Sequence, residues 1–110
     1  MVSDADILAV GETVLRPLFW DYRFDDLRWP AHRDLVIRRV LQAGGMDAIG
    51  WLRRCVPDAE LVDWIRQRNG RGLGARQLRF WQVALNLPAL EVDGWVKQAR
   101  EGLWERRTIA

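Results

Sequence analysis

Beyond Pro30 the apolar residues recur every three or four positions, and glycine, asparagine or proline closes each run. Leu35, Val36, Ile37, Val40 and Leu41 mark the buried face of one helix. Pro30 suits its first turn, where a missing N–H costs nothing, and Gly44-Gly45 ends it. Met46, Ile49, Leu52, Cys55 and Val56 predict the apolar side of a short second helix, with Asp47 near its start. Pro57-Asp58 restarts the chain. Leu61, Val62, Trp64, Ile65 and Arg68 carry a third helix to Asn69-Gly70, which reads as a C-cap. After the loop Gly70-Arg71-Gly72-Leu73-Gly74, Leu78, Trp81 and Leu85 share a stripe flanked by Phe80, Ala84 and Leu87, and Pro88 stops that helix. Val92, Trp95, Val96, Ala99 and Leu103 then recur at amphipathic spacing over about 91–104.

The first thirty residues follow no such rule. Ser3 and Asp6 have the spacing of a capping box, which suits a short helix over residues 3–12. From Leu15 to Trp29 the chain is dense in aromatics without a helical or alternating period. That stretch predicts an extended or turn-rich clasp packed by Leu18, Phe19, Phe24, Leu27 and Trp29. Strand signals are nearly absent, since there are no long β-branched alternating runs. The expectation is an all-α fold: a compact bundle of about five short helices with an aromatic-rich N-terminal clasp. A length of 110 residues fits one domain. Residues 1–14 would be an N-terminal tail or short helix, 15–104 the helical domain and 105–110 a C-terminal tail.

Composition sharpens this picture in three ways. Seven tryptophans are too many for a domain of this size to hide completely. Most are expected to pack the core, with one or two left as interface anchors. Cys55 is the only cysteine, so no intrachain disulfide forms, and it is expected to be a small buried hydrophobe. No segment approaches the length of a membrane span, and the acidic start at Asp4 and Asp6 lacks the basic region of a signal peptide, so a cytoplasmic protein is expected. The net charge is only +2, yet residues 1–30 carry six acids against three arginines, and residues 31–80 five acids against ten. Local fields of this kind steer partners more than the total does.

The reactive side chains point away from catalysis. His32 is the only histidine and reads as a surface or capping residue near a helix start. A Cys55–His32 pair lacks an orienting third group, and one cysteine with one histidine does not make a zinc site. Asp21, Asp25 and Asp26 form a small acidic cluster of the kind that holds magnesium or does acid–base work. No second catalytic element accompanies it. No catalytic residue, cofactor or metal is therefore expected. The glycine loop can be read as a phosphate cradle helped by Arg71 and Arg76 or, more plainly, as an inter-helix turn. Arg66, Arg68, Arg71, Arg76 and Arg79 crowd this region, and Leu73 to Trp81 faintly resembles the start of a recognition helix in helix-turn-helix regulators. Binding of promoter DNA through Arg71, Arg76 and Arg79 is one reading; a solvated helix face is the other. Protein binding fits best. Trp20, Asp21, Tyr22, Asp25 and Asp26 combine aromatic anchors with negative charge suited to a basic partner groove.

Residues 15–45 and 73–81 resemble a family of small bacterial and archaeal helical domains of unknown function. The resemblance rests on Leu18-Phe19-Trp20-Asp21, Phe24, Leu27, Trp29, His32-Arg33-Asp34, the Val36-Ile37-Arg38-Arg39-Val40-Leu41 helix and Gly44, then Leu78, Phe80 and Trp81. It extends over roughly 15–87. The chain departs from the pattern at Pro30, at Met46 to Gly50 and after Pro88. Members of that family are often encoded beside nucleotidyltransferase toxins of the abortive-infection type. The resemblance therefore implies an antitoxin that binds such a toxin directly, and it assigns no catalytic residue. A DNA-binding autoregulator, or a non-catalytic helical scaffold subunit that forms a homo-oligomer, is the alternative.

Overall fold

The clasp segment is built from tight helical turns. In the computed structural model, which describes residues 7, 8 and 11–109 except the side chains of Pro30 and 102–109, no strand occurs among the described residues. The Ser3–Asp6 capping pair and the side chains of Leu103, Trp104, Arg106 and Arg107 lie outside the described residues. Six α-helices are described: α1 (Glu12–Leu15), α2 (Trp29–Ala43), α3 (Met46–Cys55), α4 (Asp58–Gln67), α5 (Ala75–Ala84) and α6 (Ala89–Ile109). Two 3-10 turns, Arg16–Phe19 and Phe24–Asp26, stand between α1 and α2. The chain divides after Pro57 into two compact units. No described helix is long and apolar enough to cross a membrane.

In the unit of residues 1–57, α1 packs on α3, and both α2 and α1 meet the first 3-10 turn. The clasp is turn-rich and not extended: Asp26 N–H donates to Arg23 O at 2.9 Å in the second 3-10 turn, and Tyr22 N–H to Phe19 O at 3.0 Å in the turn that follows the first. Phe19, Phe24, Leu27 and Trp29 are buried, whereas Leu18 is only half-buried. Edge-on ring pairs link Phe19 to Phe24 at 6.2 Å and Trp29 to Trp51 at 5.9 Å, contacts worth about 0.5–1.5 kcal/mol each beyond their burial. Helix α2 starts without a capping side chain at Arg28; instead His32 Nδ1 accepts the Arg28 backbone N–H at 2.8 Å. His32 is thus a capping residue. Gly44 ends α2 in an extended conformation, φ −69°, and a Cβ there would come within 2.7 Å of Val40 O and 3.2 Å of Ala48 Cβ. Close approach of α2 and α3, not a left-handed cap, is what this glycine provides.

In the unit of residues 58–110, α5 and α6 form the main packed pair. Leu61, Trp64, Ile65, Leu78, Trp81, Val92, Trp95 and Val96 are buried. Helices α4 and α5 both end on an asparagine in the left-handed region, Asn69 at φ 52° and Asn86 at φ 54°. Gly70 N–H reaches back to Ile65 O and Leu87 N–H to Gln82 O, closing each helix with a Schellman pattern. The C-cap read at Asn69-Gly70 is present, and α5 stops four residues before Pro88.

Several core assignments change. Met46 is 73% exposed, because it is the first residue of α3 and precedes the turn that packs. Cys55, at the last turn of α3, is half-buried, and burial pushes its thiol pKa up against the opposing field of Arg54. Phe80 is exposed and Leu85 half-buried, so Leu78 and Trp81 carry the α5 stripe. Helix α6 begins two residues earlier than its amphipathic pattern and runs five residues further.

Candidate functional site

Of the tryptophans whose side chains are described, Trp29, Trp51, Trp64, Trp81 and Trp95 are buried and Trp20 is 85% exposed. A hydrophobic side chain of this size left in water is the informative exception. It sits at the end of the first 3-10 turn, next to Asp21 and the 48%-exposed Tyr22. The acidic neighbours of Trp20 mark it as a candidate in the sequence, but its exposure against the other five is decided by tertiary packing.

Arg39 of α2 holds the loop that carries Trp20. Its guanidinium donates to Leu18 O at 2.8 Å and to both Asp21 carboxylate oxygens at 2.7 Å. It also lies 5.4 Å from the Phe19 ring centre and 5.5 Å from that of Tyr22. A bidentate fork plus ring stacking suits arginine and not lysine. Hydrogen bonding from Arg39 pulls the Asp21 pKa below the ordinary aspartate value, with desolvation opposing it. The same bond raises the Arg39 pKa. Arg39 is the residue that sequence reasoning missed: it lies 18 positions from Asp21, and nothing in the pattern of α2 marks it.

The three carboxylates of the clasp are not equivalent. Asp21 is committed to Arg39. Asp25 meets Arg16 at 3.4 Å and Asp26 meets Arg23 at 3.9 Å, both at the exposed surface. Such exposed pairs are screened by solvent and exchange readily, so Asp25 and Asp26 stay accessible at the surface. Arg16 pairs with Glu12 as well and stacks over Phe24 at 5.3 Å. The surface around Trp20 is therefore aromatic with balanced charge, and less acidic than the sequence suggests. No group of three histidine, cysteine or carboxylate side chains able to hold a metal ion occurs among the described residues.

The second candidate set divides as well. Arg79 on α5 is tied to Asp93 at 2.7 Å and to Gln82 at 2.9 Å. Arg71, in the loop, and Arg76, in the first turn of α5, are exposed with no ion-pair partner among the described residues. Arg66 of α4 pairs with Glu91 at 2.7 Å, and its pKa is raised by that bond. Arg68 lies 4.0 Å from the Trp64 ring centre and donates to Trp64 O, so it serves packing.

These features describe an all-α chain with an exposed aromatic surface in one unit and unpaired arginines in the other. Residues 14–65 match a protein family of unknown function, DUF6922. The match covers the Leu18–Gly44 string, α2, α3 and most of α4, and leaves out the helix bearing Leu78, Phe80 and Trp81. Neither a curated protein nor a solved structure matches the chain.

Proposed function

We propose that this chain is a cytoplasmic antitoxin-like protein that binds a nucleotidyltransferase-type toxin and neutralises it by direct contact. The observation that carries the binding reading is Trp20: one exposed indole on a loop held by Arg39, in a chain whose other described indoles are buried. The class of partner rests on the resemblance set out above. Trp20 and Tyr22 would enter an apolar pocket of the toxin, while Asp25 and Asp26 exchange their weak surface pairs for basic groups around its nucleotide- or tRNA-binding face. Blocking that face stops nucleotide transfer by exclusion, with no catalytic residue, cofactor or metal in this chain.

Co-expression with the toxin and recovery of a complex tests the reading. Trp20→Ala is expected to weaken the complex by about 2 kcal/mol or more and to abolish rescue of growth while the chain stays folded. Full rescue by that variant, or no complex with the unaltered chain, refutes the proposal. A second reading, a promoter-binding autoregulator, is favoured by one observation: Arg71 and Arg76 are exposed and unpaired among the described residues. Its mark is promoter binding that weakens steeply with salt. The scaffold reading predicts a stable homo-oligomer without any effect on growth.

A further inference from the structure

A recess of about 650 Å³ lies in the unit of residues 58–110, between the Asn69–Ala75 loop and the middle of α6. We propose that it binds a phosphoryl group, with Arg71 and Arg100 as its cationic walls. Among the described residues its lining includes these two arginines and no carboxylate. By contrast, Arg66 and Arg79 of the same unit are held by Glu91 and Asp93. Arg71 and Arg100 have no ion-pair partner among the described residues. They come from two different elements, the loop and α6, and both line the recess. Two planar guanidinium forks suit the tetrahedral oxygens of a phosphate.

The loop is built to stay in place. Gly70, at φ 69°, leaves no space for a Cβ, which would meet Leu78 Cδ2 at 2.9 Å and Trp95 Cβ at 3.1 Å. The loop therefore sits directly on Trp95. Arg71 N–H donates to Arg68 O at 3.0 Å and Leu73 N–H to Gly70 O at 3.3 Å, which fix the backbone on either side of Gly72 at φ 87°. Gly72 and Gly74 put no side chain into the opening. Trp95, Leu73 and Ala99 add apolar surface, and the volume falls in the range of small-ligand sites. It exceeds what a bare phosphate needs and is open to one side, so a phosphoryl group carried on a larger body can enter it. Helix α5 has no acid in its first turn and no side-chain cap at Gly74, so its positive end at the rim adds to the field.

The phosphoryl group can come from a free nucleotide or from a nucleic-acid backbone. The test titrates the isotope-labelled full chain with a nucleoside monophosphate, inorganic phosphate and a short DNA duplex at fixed salt. Saturable shifts confined to the amides of 69–75 and 98–100 and to the Trp95 indole are expected. Arg71→Gln and Arg100→Gln should each weaken binding about tenfold, and Arg54→Gln, in the other unit, should not. Saturation by the monophosphate but not the duplex identifies a free nucleotide. The converse, with a steep salt slope, identifies a backbone phosphate. Shifts that never saturate and spread over exposed arginines throughout the chain, or an equal effect of Arg54→Gln, overturn the proposal. The experiment needs no toxin, so its failure leaves the Trp20 reading standing.

Discussion

The loop around Trp20 and the glycine loop before α5 use the same residue types in opposite ways. Around Trp20 each clasp aspartate has an arginine partner, and the exposed side chain is an indole. Around Gly70–Gly74 the indole of Trp95 is buried and the arginines Arg71 and Arg76 are left in water. Whether an arginine serves the fold or faces outward depends on the carboxylates folding brings near it. Arg39 faces Asp21 and Arg79 faces Asp93, but among the described residues no carboxylate lines the recess beside Arg71. One region exposes apolar area and the other exposes positive charge.

The largest effect should separate buried indoles from the exposed one. Trp51 and Trp81 are almost fully buried, and replacing either by alanine should cost about 3–5 kcal/mol. That is a large part of a typical domain's stability, so urea denaturation should find these variants largely unfolded. Trp51 carries a second constraint. Its Nε1 is buried without a hydrogen-bond partner among the described residues, and a Cβ on Gly11 would lie 2.5 Å from it. Gly11→Ala should therefore be destabilising, whereas Trp51→Phe removes the unpartnered N–H and should cost clearly less than Trp51→Ala.

Glycines sharpen the contrast next. Gly70→Ala faces both a positive φ and the Leu78 and Trp95 atoms, so a loss of about 1–3 kcal/mol is expected. Gly94→Ala, in α6, meets nothing within 4 Å and should gain about 0.5–1 kcal/mol from helix propensity. Thermal melts of the two variants should move in opposite directions. Equal shifts would mean that the loop is not seated on Trp95.

A smaller effect belongs to the Arg39–Asp21 clamp and has a defined pH window. Arg39 lowers the Asp21 pKa in the folded chain. A depressed carboxyl pKa gives stability that is complete above the unfolded value of about 4 and is lost as pH falls through the folded value. The urea midpoint gap between the unaltered chain and Asp21→Asn should be widest near neutral pH and shrink below pH about 4. A gap that stays constant into acid would show that the clamp is not ionic. Arg39→Lys should lie between the two, since lysine keeps the charge and loses the fork.

What the sequence revealed follows from the range of the interaction involved. Helices α2, α4 and α5 were legible because Val36, Val40, Leu61, Ile65, Leu78 and Trp81 repeat at the period of a helix with one buried face. Asn69-Gly70 was legible because a local C-cap uses local residues. The segment 16–26 was not, because short 3-10 turns of three or four residues leave no period to detect. Spacing alone puts Met46 on the apolar side of α3 and Phe80 beside the α5 stripe, yet both are exposed. The candidate site was legible as a set of names, Trp20 to Asp26, but not in its character. Pairing of Asp21 with Arg39 across 18 residues turns an acidic patch into a neutral aromatic one.

The smallest expected effect is the most diagnostic. Trp20 is exposed and no ring or hydrogen-bond contact holds its indole among the described residues, so Trp20→Ala should change folding stability by less than about 0.5 kcal/mol. Among the described indoles its solvated ring should be the readiest target of an aqueous quencher, so the accessible share of the tryptophan emission should fall in Trp20→Phe. The two measurements together separate two roles that binding assays alone confuse. A stability loss comparable to that of Trp51→Ala would mean that Trp20 packs against the chain itself, and weakened partner binding would then be a folding defect. Unchanged stability with a large loss of binding leaves one explanation: the indole is held out by Arg39 and its neighbours for contact with another molecule.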